Sequence, residues 1–144
     1  MVIKRGLLIL SACLALVLLY PTQTVTVPAW RIRVVDEAGR PLQNEFVRQT
    51  WKNYSLELGG SDHGDDGWTD ADGYVSFPER TTRASLLQRM FVPLRNTAAL
   101  GPHASYGASA NIMVWGGHVV PASVRYAPDK PLPQELVLPR HGTY

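Results

Sequence analysis

The stretch GWTDADGYVSFPER, Gly67 to Arg80, holds carboxylates at a spacing that could grip a cation. A calcium loop needs oxygen ligands at alternate positions, a glycine at the sharp bend and a bidentate glutamate at its end. Setting Asp70, Asp72 and Gly73 in the third, fifth and sixth places brings Glu79 to the twelfth. The first place then falls on Trp68, which has no oxygen to give. Beyond the glycine, Val75 and Phe77 alternate as a strand requires and Pro78 follows. TDADG is therefore expected to be a tight turn between strands, with Asp70 and Gly73 as structural residues.

A denser group of carboxylates, Asp62, Asp65 and Asp66, precedes it in LGGSDHGDDG, Leu58 to Gly67. These three are weak candidates for a calcium-like site. Otherwise the segment is a solvated, glycine-hinged loop, so no metal and no cofactor is expected. His63, His103, His118 and His141 have no paired spacing of the kind that holds zinc. Catalytic signatures are equally thin. Ser61, Asp62 and His63 are neighbours in sequence, which does not make a triad, and there is no G-x-S-x-G elbow. The single cysteine, Cys13, lies in the leading apolar run, leaving the body without a disulfide or a thiol nucleophile. The expectation is a chain with no catalytic residues, not an enzyme. The aromatics Trp30, Trp51, Trp68, Trp115, Tyr54, Tyr74, Tyr106 and Tyr126 are expected to be mainly core, with one or two exposed for a ligand or partner.

Short β segments must position these groups. In AWRIRVVD, Trp30, Ile32 and Val34 alternate with Arg31 and Arg33, the pattern of a half-buried strand. Asp36, Gly39 and Pro41 supply the turn after it, and a second strand runs from Phe46 to Trp51 with Val47, Gln49 and Trp51 on one side. Ala84 to Asn96 could make a helical turn before Pro93 breaks it, or a buried strand. NIMVWGG, HVVPASVRYAP and PLPQELVLPR complete a chain of strands punctuated by Gly and Pro. The fold class expected is all-β: an antiparallel β-sandwich of about seven strands, preceded by an N-terminal hydrophobic helix.

The chain begins MVIKR and continues GLLILSACLALVLLY, Gly6 to Tyr20, a basic start followed by an apolar run. This is expected to be a signal peptide or signal anchor with a short linker, residues 1–24, ahead of a β domain over 25–144. Leu10-Ser11-Ala12-Cys13 also resembles a lipobox, so lipidation at Cys13 stands beside retention and cleavage. The body should lie on the periplasmic or extracellular side of the envelope. A chain of 144 residues with 45% hydrophobic content suits one domain, and its charge of +2 includes Lys4 and Arg5 ahead of the apolar run. The body is thus about neutral, which argues against a nucleic-acid partner. An envelope protein or polysaccharide is the partner expected. Asn53-Tyr54-Ser55 fits a glycosylation sequon, but the bacterial look of the N-terminus makes chance the better explanation.

VVDEAGRPL followed by TDADGYVSFP resembles the carboxypeptidase regulatory-like domain, a transthyretin-like or prealbumin-like β-sandwich. The residues that carry the likeness are Val34, Asp36, Gly39, Pro41 and Leu42, then Thr69, Asp70, Gly73, Val75 and Phe77. The resemblance covers the first half of the domain, and ELVLP adds only a late closing strand. It implies a non-catalytic accessory or scaffold module. Two alternatives from other classes are a small transthyretin-like hydrolase, of whose tail 140–144 is a partial echo, and a calcium-stabilised adhesion module.

Overall fold

The computed structural model describes residues 2–115 and 121–139, and the chain in these segments is mostly β, arranged in several sheets with a few helices. Helix α1, Val2–Leu19, has no acidic residue in its first turn and no basic residue in its last. Its apolar side chains from Leu7 to Leu19 are exposed, except Leu18, which is half-buried. Among the described residues no helix is long and apolar enough to cross a membrane.

The tract expected to be a linker is instead strand β1, Pro21–Val27, paired antiparallel with β6, Arg80–Ser85. Its Thr and Val side chains are β-branched and suit a pleated surface, but the partner RTTRAS lies far along the chain. β2, Trp30–Asp36, buries Trp30, Ile32 and Val34 as its alternation requires. It lies between β5, Tyr74–Phe77, which runs antiparallel to it, and β9, Glu135–Leu138, which runs parallel. A purely antiparallel arrangement is thereby corrected: chain connectivity returns β9 beside β2 in the same direction.

The largest sheet has the order β4-β3-β7-β8. It is built from β3, Phe46–Asn53; β4, His63–Trp68; β7, Ala108–Trp115; and β8, Ala122–Tyr126, all antiparallel to their neighbours. The expected polar loop therefore ends in a strand. Each residue of β4 has a partner on β3, from Phe46↔Trp68 to Trp51↔His63. Composition hid this, because Gly and Asp are poor strand formers in isolation. Gly67 has a packing role here: a Cβ would stand 2.9 Å from Cγ2 of Val75, so β4 approaches β5 only without a side chain there.

Nine strands stand among the described residues where about seven were expected, and one segment is a full helix. α2, Leu86–Leu100, starts at Ser85, whose Oγ accepts from the Gln88 amide at 3.2 Å. It continues through Pro93, although proline removes one helical hydrogen bond. Tertiary contacts outweigh that loss. Val92 is fully buried, Gln88 Nε2 donates to the Leu56 carbonyl at 2.8 Å, and Asn96 Nδ2 donates to the Tyr54 carbonyl at 2.7 Å.

One apolar core joins the sheets. Trp30, Ile32 and Val34 of β2, Val75 and Phe77 of β5, and Leu136 and Leu138 of β9 share it with Val47 of β3 and Ile112 and Val114 of β7. The one polar atom of Trp30 is satisfied, since its indole N–H donates to the Pro133 carbonyl at 2.7 Å.

Candidate functional site

The turn residues assemble at one end of β2 and β5. Asp36 Oδ1 accepts from the amides of Ala38 and Arg40, both at 2.9 Å, while Asp70 Oδ1 accepts from those of Asp72 and Tyr74 at 3.0 and 2.8 Å. Gly39 and Gly73, with φ of +74° and +77°, take the left-handed position that each turn needs. The two turns have one geometry, with a carboxylate in place of a missing backbone acceptor. Thr69 latches them to the following segment: its hydroxyl donates to the Leu42 carbonyl at 2.7 Å and accepts from the Glu45 amide at 2.9 Å. Arg40 forks onto Asp36, at 2.8 Å from Nε and 2.7 Å from Nη2, and holds this carboxyl below its ordinary value. These groups are consumed in building the turns.

The acidic group is dispersed. Asp65 forms an ion pair with Arg80, Asp66 pairs with Arg48, and Asp62 meets the Tyr54 hydroxyl at 3.4 Å, with Lys52 Nζ 3.9 Å away. Strand alternation sends Asp65 and Asp66 to opposite faces. Among the described residues no group of three or more His, Cys, Asp or Glu side chains could hold a metal ion. His118 and His141, like the tail 140–144, lie outside the described residues.

Asp65 leads to a polar corner on the inner side of the sheet. Arg80 Nε donates to Gln49 Oε1 at 3.0 Å and its guanidinium lies 4.2 Å from the centre of the Trp51 ring. Trp51 stacks on His63 at 5.5 Å, and His63 Nε2 lies 2.6 Å from Glu57 Oε2. The imidazole thus has Glu57 as its carboxylate partner, where sequence adjacency offered Asp62. Gln49 is fully buried, and its Nε2 has no hydrogen-bond partner among the described residues.

The outer side of the same sheet carries the exposed chemistry. Phe46 of β3 stands between Trp68 of β4 and Trp115 of β7 in register, with ring centres 5.2 and 5.8 Å away. Trp68 is 59% exposed and Trp115 37%. Large aromatics left in water next to one another mark a contact surface more often than chance packing. Two residues along, Arg48 grips Asp66 through two parallel bonds, Nε to Oδ1 at 2.6 Å and Nη2 to Oδ2 at 2.7 Å. The guanidinium holds the Asp66 carboxyl below its ordinary value, and the carboxylate raises the Arg48 value in turn. Further along, a shallow cavity of about 150 Å³ is lined by Thr50, Tyr54, Asp62, Ser109, Asn111 and Arg125. Burial, then the Asp62 carboxylate, pushes the Tyr54 phenol up. Aromatic rings, a charged fork and a hydroxyl-lined hollow follow one another along one sheet face.

No family model matches the chain, and no curated protein matches it. Among solved structures it is similar to the crystal structure of 3-chlorocatechol 1,2-dioxygenase from Rhodococcus opacus 1CP, with a TM-score of 0.50 and 13% sequence identity. The likeness covers 85% of this chain and 62% of that one, so this chain spans less than two thirds of the enzyme's length. At such identity the likeness is one of fold. It nevertheless corrects the expectation that the chain is not an enzyme. That expectation took the architecture as the mark of accessory modules, and the architecture is here shared with an enzyme; the likeness is of fold alone and transfers no active-site residue.

Proposed function

We propose that this chain is an exported or membrane-anchored binding module of the bacterial cell envelope, facing the periplasm or the exterior, whose outer sheet face takes a polysaccharide. The observation that carries the reading is the Trp68–Phe46–Trp115 group beside the Arg48–Asp66 fork. Sugar rings offer apolar C–H faces to aromatic rings and hydroxyls to charged forks, so a strip that alternates the two suits a glycan chain. A protein partner would favour a larger apolar centre with charges at the rim. Exposure of α1 over most of its length supports the membrane part, because an apolar helix left largely uncovered by its own domain needs another apolar phase. Within that reading the body is a transthyretin-like sandwich of the carboxypeptidase regulatory-like kind, supported by the paired Asp36–Gly39 and Asp70–Gly73 turns. Lipidation at Cys13 is the variant anchor, and Cys13→Ser separates the two by abolishing lipid attachment only in that case.

Co-sedimentation with purified cell-wall glycans tests the proposal. Binding that survives Tyr106→Ala and is lost in Trp68→Ala and Trp115→Ala is the expected result. Failure of every glycan to bind, with a protein cross-linked to Trp68-adjacent positions instead, would make the partner a protein.

A further inference from the structure

α2 divides its side chains cleanly between two directions. Gln88, Val92 and Asn96, at successive four-residue steps, hold it to the body. Leu87, Met90, Phe91 and Leu94 form the opposite stripe, and all four are exposed. Leu94, at 68%, is as open as the side chains of α1. A stripe of this kind on a free helix face has a large unrecovered hydrophobic cost.

The surroundings of that stripe identify what covers it. The start of α2 lies beside the end of α1, where Val17, Tyr20, Thr22, Leu86 and Arg89 line a shared cavity of about 380 Å³. Arg89 fixes the junction by donating to the Thr22 carbonyl at 3.0 Å and to Thr24 Oγ1 at 2.6 Å. Val17 and Tyr20 thus bring apolar surface of the α1 end against Leu86 at the start of α2. The sequence around α2 is also one-sided in charge: no Asp or Glu occurs between Glu79 and Asp129, while Arg80, Arg83, Arg89, Arg95 and Arg125 do. Arg83 and Arg95 are exposed on the strand and helix flanks. An apolar stripe with arginines alongside matches the boundary between acyl chains and anionic headgroups.

We infer that α2 lies in the surface of an anionic lipid bilayer, with Leu87, Met90, Phe91 and Leu94 immersed and Arg83 and Arg95 at the phosphates. The inference rests on the membrane attachment proposed for α1 and extends it. Because α1 falls short of a membrane-crossing helix, a second contact adds to its hold. It would also fix the height and tilt of the β body above the lipid.

The test uses the full chain in a Cys13→Ser background, reconstituted into vesicles of phosphatidylglycerol and phosphatidylethanolamine. An environment-sensitive fluorophore is placed by Phe91→Cys, and in a separate sample by Leu14→Cys, with nitroxide-bearing lipid as quencher. Circular dichroism confirms that each labelled chain keeps its β signal. Quenching at both positions is expected, with the effect at 91 falling by about half in phosphatidylcholine vesicles and in the Arg83→Gln, Arg95→Gln chain. Quenching at 14 alone overturns the role of α2 and leaves the α1 anchor standing. Quenching at 91 alone upholds α2 and sinks the anchor, and quenching at neither sinks both. A label at 91 that escapes lipid quenching yet is shielded from aqueous iodide would mean that a second copy of the chain covers the stripe, which also overturns the inference.

Discussion

Gly73 and Val34 are locked together where the two turns meet. The Val34 amide donates to the Gly73 carbonyl at 2.8 Å, and a Cβ on Gly73 would stand 2.6 Å from the Val34 carbonyl oxygen. That carbonyl already accepts from the Leu42 amide at 3.0 Å, so it is not free to move aside. Gly73→Ala therefore meets both a left-handed φ and a backbone clash, whereas Gly59→Ala at φ of +61° meets open space. The φ alone should cost Gly59→Ala roughly 1 kcal/mol, and Gly73→Ala roughly 3 kcal/mol or more. Urea unfolding of the two variants side by side checks this, and equal losses would show that the close approach to Val34 carries no weight.

Acid should attack the other turn. Asp36 is 2% exposed and its carboxyl is held low chiefly by the Arg40 side chain, then by the Arg40 amide, against the opposing effect of burial. A carboxyl whose folded value lies below its unfolded one stabilises the fold fully above the unfolded value, near 3.8, and loses that contribution as pH falls through the folded value. Asp36→Asn keeps an oxygen for the Ala38 and Arg40 amides but gives up the ion pair. Its stability should be lower than that of the parent chain at neutral pH and should decline less steeply below the ordinary aspartate range. Unfolding midpoints measured across the acid range decide the point, and parallel curves for the two chains would remove Asp36 as a source of acid sensitivity.

The sequence was legible where local pattern and tertiary role agree. Trp30, Ile32 and Val34 alternate because one face of β2 is core, and the Asp–Gly spacing of both turns is set by bonds within five residues. β4 was illegible because HGDDGW owes its strand state to the register with β3 and to the room at Gly67, both non-local. α2 was half legible: Leu86, Leu87, Met90 and Phe91 gave the helical period, but Pro93 hid its continuation, which depends on the hold of Val92, Gln88 and Asn96. The Arg48–Asp66 fork disappeared with β4, since only strand alternation sets Asp66 and Trp68 on the face of Arg48 and Phe46. The neutral charge of the whole body similarly hid the acid-free tract around α2.

Arg80 is the last residue on which a definite outcome depends. It serves three partners at once: the Asp65 carboxylate, Gln49 Oε1 at 3.0 Å and the face of Trp51. Gln49 is fully buried with its Nε2 already unpartnered among the described residues, so loss of Arg80 would strand the whole amide. An unsatisfied buried polar group costs about 1–3 kcal/mol, and Arg80→Ala should destabilise by about that amount. Arg80→Lys should recover little, because an ammonium cannot fork to Asp65 and Gln49 while lying flat on an indole. The revealing variant is the double change Arg80→Met, Gln49→Met, which removes donor and acceptor together and leaves apolar volume over Trp51. It should be more stable than Arg80→Ala alone, as replacing both members of a buried polar pair costs less than orphaning one. Chemical unfolding of the three variants reads the difference, and a double variant no better than Arg80→Ala would mean that Asp65 is the partner that matters.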